Sequence, residues 1–237
     1  MKLVSIIVPC FDEEQTIYNL LELVTKVDLT ELELAKEIIV VDDGSTDSSH
    51  AEIERFMRDH PKAEIKLISS KPNRGKGSAI REALGIASGE IILTQDADLE
   101  YSPSDYPLLL KPVVKDISRV VYGSRWLAPT IPISGPIYAV GGWLENKLLR
   151  TLYRTNITDI ATGYKVFKTD LLKSLNVEAK GFEFCPEVTS KLLNRRELIV
   201  EVPISYKPRK KSEGKKIRWP DFFMAIYTIL KVRCKRL

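Results

Sequence analysis

Short apolar runs alternate with segments of helical period along the first half of the chain. Val4-Ser5-Ile6-Ile7-Val8 reads as a buried strand ended by Pro9. From about Glu13 to Lys26, residues Ile17, Leu20, Leu21 and Val24 recur on one helical face. Glu37 to Val41 is the next strand, closed by Asp42-Asp43-Gly44-Ser45. Ser45-Thr46-Asp47 has the chemistry to cap a helix running to about His60. Ile65 to Ser69 is a third strand, and a helix from about Lys76 to Ala87 stops at Ser88-Gly89. Ile91 to Thr94 and Arg119 to Gly123 are the fourth and fifth strands. Repeated β-α-β units predict an α/β fold with a mostly parallel sheet flanked by helices. Ligands in such sheets bind beyond the carboxyl ends of the strands.

After Gly123 the pattern changes. Residues 126–142 mix Pro, Gly and apolar side chains and read as a mobile loop. A helix is expected from about Ala139 to Tyr153, then strands at Gly163–Phe167 and Leu198–Val202. Pro220 suits the first turn of a last helix, whose apolar run to Leu230 is too short to span a bilayer. The expected division is one catalytic domain over residues 1–216 and an amphipathic, basic helix over residues 217–237. No apolar run of membrane-spanning length occurs, and no leader cleavage signal precedes the first strand, so a secretory leader is not expected.

Composition sharpens this in two ways. The net charge of +4 is uneven: residues 191–237 carry fourteen Lys or Arg against four acids, a net +10, leaving −6 for the rest. A basic C-terminal end suits a phosphate, an anionic membrane surface or a nucleic acid. Cys10, Cys185 and Cys234 form no CxxC pair and suggest a reducing compartment, while two histidines, His50 and His60, supply a zinc site or a histidine triad poorly.

The densest chemistry is Gln95-Asp96-Ala97-Asp98, directly after the fourth strand. Two carboxylates one residue apart at a strand end repel unless a cation lies between them. A hard divalent cation carrying a phosphorylated ligand and a solvated acidic turn are both open readings of that stretch alone. Pro9-Cys10-Phe11-Asp12-Glu13-Glu14 and Asp42-Asp43-Gly44-Ser45 lie at neighbouring strand ends. Asn73-Arg74-Gly75-Lys76-Gly77 precedes a helix N-terminus, where free amides and a lysine suit a phosphate. There is no dinucleotide fingerprint and no P-loop.

These motifs, with Gly123-Ser124-Arg125, Thr158 to Lys165, Val202 to Tyr206 and Glu213 to Ile217, together resemble the inverting family 2 glycosyltransferases of the GT-A fold. The resemblance is strongest to the synthases that charge dolichyl or other polyprenyl phosphates with mannose or glucose, and it covers nearly the whole chain. It implies that Pro9, Phe11 and Glu13 line a nucleotide pocket, with Val40 and Asp42 holding the base. It implies Mg²⁺ or Mn²⁺ on Asp96 and Asp98, with Glu100 at the place of a third ligand. Ala97 is then small because the nucleotide passes close to the backbone. Lys76 and Arg125 become diphosphate or acceptor-phosphate contacts, Arg209, Lys215 and Lys216 grip a lipid phosphate, and Asp159 lies near the acceptor.

The resemblance thus implies transfer of a hexose, mannose from GDP-mannose, to a lipid phosphate by a peripheral enzyme at the cytoplasmic face of a membrane. A UDP-sugar enzyme acting on a hydroxyl remains open, with Asp159 as base. A non-catalytic nucleotide-binding module is the reading from another class. Nucleic acid is not an expected partner, since no RNA- or DNA-binding motif is present. Oligomeric state is not legible.

Overall fold

The computed structural model describes residues 1–128, 136–209, 214, 216 and 219–235. Seven strands form one sheet: β1 (Lys2–Cys10), β2 (Leu34–Asp42), β3 (Ile65–Ser69), β4 (Ile91–Thr94), β5 (Val120–Ser124), β6 (Lys165–Lys168) and β7 (Ile199–Pro203). Their order is β3-β2-β1-β4-β6-β5-β7. β6 runs antiparallel to both its neighbours, and every other pairing is parallel. The carboxyl ends of β1, β2, β4 and β5 therefore open on one edge.

β1 outruns its expected end and passes through Pro9. β4 stops pairing with β1 at Ile7, so the missing N–H of Pro9 breaks no ladder bond on that side. Among the described residues there are eight helices: α1 (Ile17–Lys26), α2 (Ser49–Asp59), α3 (Lys76–Ile86), α4 (Tyr106–Val114), α5 (Pro136–Tyr153), α6 (Thr169–Ser174), α7 (Phe184–Asn194) and α8 (Trp219–Cys234).

Two apolar layers result. Ile6, Val8, Val40 and Leu93 face Leu20, Leu21, Phe56 and Leu109 on one side. Ile7, Val41 and Ile92 face Ala79, Ile80, Val188 and Leu192 on the other. Both faces being covered explains why β1, β2 and β4 are apolar almost throughout.

α1 and α2 begin later than their periodicity suggests, at Ile17 and Ser49. The residues ahead of them are bonded to each other. Asp12 N–H donates to Ser45 Oγ at 3.0 Å, and Glu13 N–H to Ser49 Oγ at 2.7 Å. Thr46 N–H donates to Asp12 Oδ1 at 2.7 Å. The capping residues read from the sequence thus brace two loops at the strand ends.

The expectation of a loop over residues 126–142 needs correction. Arg125–Leu127 forms a 3-10 turn and residues from Pro136 onward are helical, because Gly141 and Gly142 sit in a helix that packs on α8. Residues 129–135 lie outside the described ones. α8 is docked on the body: Ile229 joins Leu149, Ile157 and Ile160 in a small apolar cluster, and Asn194 Nδ2 donates to Val232 O at 3.0 Å.

Candidate active site

Asp96 and Asp98 emerge from β4 at the common strand edge. Gln95 anchors them from below, its Oε1 accepting from the Tyr106 and Tyr164 hydroxyls at 2.7 Å each. Gly163 closes over Asp96. A Cβ at Gly163 would stand 2.1 Å from Asp96 Oδ2, so any larger residue there must displace the Asp96 carboxylate. Ala97 is buried, and its carbonyl accepts from Thr16 Oγ1 at 2.8 Å.

Basic side chains fill the space between these carboxylates. Lys76 Nζ pairs with Asp96 Oδ1. Burial pulls the Lys76 ammonium down, but the charge and hydrogen bond of Asp96, with the nearby Cys185 and Asp98, together outweigh it and the net shift is upward. Arg209 spans the cluster: Nη1 and Nη2 meet the two Glu13 oxygens at 2.8 and 3.1 Å, and Nη2 lies 3.1 Å from Asp98 Oδ2. Lys216 Nζ reaches Glu13 Oε1 at 2.6 Å and the carbonyls of Phe11 and Asp12. Burial first, then the Asp96 and Glu100 charges, pushes the Asp98 carboxyl up to about 7 despite Arg209.

Glu100 is engaged by Tyr206 and the Arg209 backbone. Its Oε2 accepts from Tyr206 Oη at 2.6 Å and its Oε1 from Arg209 N–H at 2.7 Å. Accordingly, the described residues hold no group of three or more carboxylate, His or Cys side chains arranged to enclose a metal. Asp96 and Asp98 nevertheless suit a hard cation. Their oxygens are of the right class, and the two carboxylates stand one residue apart at the end of β4. Mg²⁺ is commonly held by one or two carboxylates together with substrate phosphates, so a third protein ligand is not required.

At the neighbouring strand ends, Phe11 and Pro9 are half-buried, Val40 is buried, and Asp42 closes β2. Asp43 holds the loop before α3, accepting from Arg74 N–H at 2.9 Å and Gly75 N–H at 2.6 Å. Gly75 adopts φ +92°, and a Cβ there would stand 2.6 Å from Lys180 O. Glu187 and Glu183 bond the backbone N–H groups of Glu178 to Gly181, which shapes the facing loop. A surface cleft beside it is lined by Asn73, Arg74, Ser78, Arg81, Glu82 and Lys180.

Arg125 occupies the end of β5. Its Nε and Nη2 meet the two oxygens of Asp159, each at 2.7 Å, and its backbone N–H adds a third bond at 3.1 Å. Asp159 is 0% exposed. Burial alone would lower the Arg125 guanidinium, but Asp159 holds it well above its ordinary value. Glu201 of β7 fixes the loop behind, accepting from the N–H groups of Thr158 and Asp159 at 2.8 and 3.0 Å. The Arg125 guanidinium lies 5.0 Å from the Tyr206 ring centroid.

The structure therefore brings Glu13, Asp96, Asp98, Lys76, Arg209 and Lys216 to one point, with Arg125 and Asp159 joined to it through Tyr206 and Glu100. Lys215 lies outside the described residues. Sequence reasoning missed the roles of Tyr206 and Glu201. Tyr206 had one available signal, its place in the Val202 to Tyr206 motif.

The profile of the family described as Glycosyl transferase family 2 matches residues 5–175. The chain belongs to this family. It is 27% identical over 216 residues to a dolichol-phosphate mannosyltransferase of Pyrococcus furiosus, covering 90% of this chain and 58% of that protein. It is 26% identical over 184 residues to an undecaprenyl-phosphate mannosyltransferase of Micrococcus luteus, covering 76% of this chain and 75% of that one. Among solved structures, a glucosyl-3-phosphoglycerate synthase of Mycobacterium tuberculosis, in complex with Mn²⁺, UDP and phosphoglyceric acid, superposes with a TM-score of 0.75 at 19% identity. That match covers 99% of this chain and 78% of the other. The α/β architecture with its mostly parallel sheet is thus the GT-A fold expected, and the chain is a glycosyltransferase by family. It spans little more than half the length of the archaeal relative.

Proposed function

We propose that this glycosyltransferase moves a hexose from a nucleotide sugar to a polyprenyl phosphate, inverting the anomeric carbon. The observation that carries the reading is the adjacency of two unlike charge centres. An acidic cluster at Asp96 and Asp98 suits a cation-bound diphosphate, and beside it Arg125 is held rigid at the mouth of β5. A divalent cation on Asp96 and Asp98, Mg²⁺ or Mn²⁺, would offset the charge that grows on the leaving diphosphate. Pro9, Phe11, Glu13, Val40 and Asp42 form the nucleotide side, Ala97 lets the donor approach the backbone, and Lys76 turns from Asp96 to the diphosphate. Arg209 and Lys216 exchange their carboxylate partners for the phosphates of donor and acceptor, and Lys215 adds its charge to the lipid-phosphate grip. Glu100 holds Tyr206 and the Arg209 backbone, and so stands behind the cation rather than on it.

A phosphate acceptor is ionised near neutral pH and needs no base. This agrees with Asp159, whose two oxygens are committed to Arg125 and closed to solvent. Mannose is the sugar favoured by the mannosyltransferase relatives, and GDP-mannose is the donor we propose for it. A UDP-sugar is the second reading, favoured by the UDP in the structural neighbour. The test is a donor screen by nucleotide release with Mn²⁺, with and without a polyprenyl phosphate. Release from GDP-mannose that depends on the lipid is expected; equal release with a saccharide hydroxyl acceptor would overturn the acceptor assignment.

We also propose that α8 and α5 rest on an anionic membrane. No helix among the described residues is long and apolar enough to cross one. Phe223, Met224, Tyr227 and Leu230 of α8 and Val140, Trp143 and Leu144 of α5 are exposed, with Lys147, Lys231 and Lys235 beside them. The cytoplasmic face fits the three free cysteines. Because Ile229 is part of a buried cluster, exchanging Phe223 and Tyr227 for serine is a cleaner test than truncation. Loss of sedimentation with anionic vesicles supports the surface, and unchanged sedimentation removes it.

A further inference from the structure

His50 was notable in the sequence only as one of two histidines. In the fold it covers the carboxylate that ends β2. Asp42 is 2% exposed, and its Oδ1 accepts from Ser45 N–H at 3.0 Å. Its Oδ2 lies 3.0 Å from His50 Nδ1. The same nitrogen is 3.4 Å from Ser69 Oγ, at the end of β3, so the ring sits across the mouths of two adjacent strands. His50 Nε2 has only a long approach, 3.5 Å, to Glu54 Oε1 one turn along α2. The imidazole is 42% exposed over an almost fully enclosed carboxylate. Each Asp42 oxygen thus keeps a lone pair beyond the one already used.

We infer that His50 is a positioning residue for nucleobase recognition: by donating from Nδ1 it orients Asp42 toward a base edge that presents an N–H beside a carbonyl. Uracil and guanine both present such an edge. This rests on the proposed placement of the donor base at Asp42. The pair divides the work. Asp42 supplies acceptors for the base N–H, and His50 fixes the direction of those acceptors and borders the site with a ring of its own. A carboxylate oriented in advance loses less on binding than one that must be ordered by the ligand. His50 touches neither the aspartates of β4 nor Arg125, so its effect falls on donor binding and not on the transfer step.

Calorimetric binding of GDP, UDP and inorganic pyrophosphate, each with Mn²⁺, tests this on the full chain with four proteins: wild type, His50→Ala, His50→Asn and Asp42→Asn. Asn is chosen because its Nδ2 reaches about as far as His Nδ1. His50→Ala is expected to weaken the preferred nucleotide about ten-fold, the loss of one hydrogen bond to a charged group. His50→Asn restores most of it, and neither change alters pyrophosphate affinity. In turnover, the donor KM rises by a similar factor while kcat holds. If His50→Ala binds nucleotide as wild type does while Asp42→Asn binds weakly, the role of His50 is overturned and the base site stands. If Asp42→Asn also binds normally, the base lies elsewhere and both fail. An equal loss for pyrophosphate marks a structural effect and also overturns the inference.

Discussion

The two charged centres at the sheet edge are held in opposite ways. Around Asp98 the neutralising groups come from afar: Arg209 and Lys216 reach back across the fold to Glu13 and Asp98. Even so, the Asp98 carboxyl is pushed up to about 7. Around Arg125 the partner is local to the edge, bidentate and sealed, with Glu201 bonded to the loop that carries Asp159. The first centre is a set of charges able to change partners when a diphosphate and a cation arrive. The second is prearranged and changes nothing on binding, the arrangement expected where charge must be met without reorganisation.

The largest effect is expected at the exchangeable centre. Asp98→Asn should lower transfer about 10³-fold at saturating metal, as for loss of a principal electrostatic group. Nucleotide-release kinetics read this, and normal turnover would dismiss Asp98 as a ligand. At the fixed centre, Asp159→Asn leaves Arg125 without its charge partner and should cost about 3 kcal/mol of stability, as for breaking a buried pair. Denaturant unfolding measures that cost. In the same variant the acceptor KM should rise more than kcat falls; a pure collapse of kcat would make Asp159 a base and undo the contrast.

Gly163→Ala probes the exchangeable centre through shape alone. A Cβ 2.1 Å from Asp96 Oδ2 must displace that carboxylate. A misplacement near 1 Å costs about 10²-fold in kcat/KM. Unchanged kinetics would mean that the position of Asp96 is not critical.

The smallest effect concerns Glu145 on α5, whose carboxyl is pushed up to about 7 by burial, with Arg125 opposing and Asp159 adding to the rise. A carboxyl raised on folding binds its proton more tightly in the native state. It therefore costs stability progressively as pH rises from its ordinary value to about 7. Glu145→Gln should raise Tm slightly at pH 8 and leave it unchanged near pH 4. The reverse order would show that Arg125, and not burial, dominates there.

Much of this was legible beforehand for physical reasons. β1, β2 and β4 are buried on both faces, so their apolar runs stand out, and their acidic ends fall where parallel strands place ligands. α4 was not read as a helix because Pro107 and Pro112 disguise its period. α7 hides behind Pro186 in its first turn. The turning of Glu100 toward Tyr206 joins residues more than a hundred positions apart, and no local pattern encodes it. The exposed face shared by α5 and α8 is half visible in the sequence: the apolar run after Pro220 announces α8 and the pattern from about Ala139 announces α5, but nothing local brings Val140, Trp143 and Leu144 beside α8.

The most direct measurement is anomalous scattering from crystals grown with Mn²⁺ and GDP or UDP. Manganese bound by Asp98 and the diphosphate, with Arg209 withdrawn from Glu13 and Arg125 still on Asp159, is the expected result. A nucleotide bound away from the ends of β1, β2 and β4, with the Arg209 pairs to Glu13 and Asp98 intact, would contradict it.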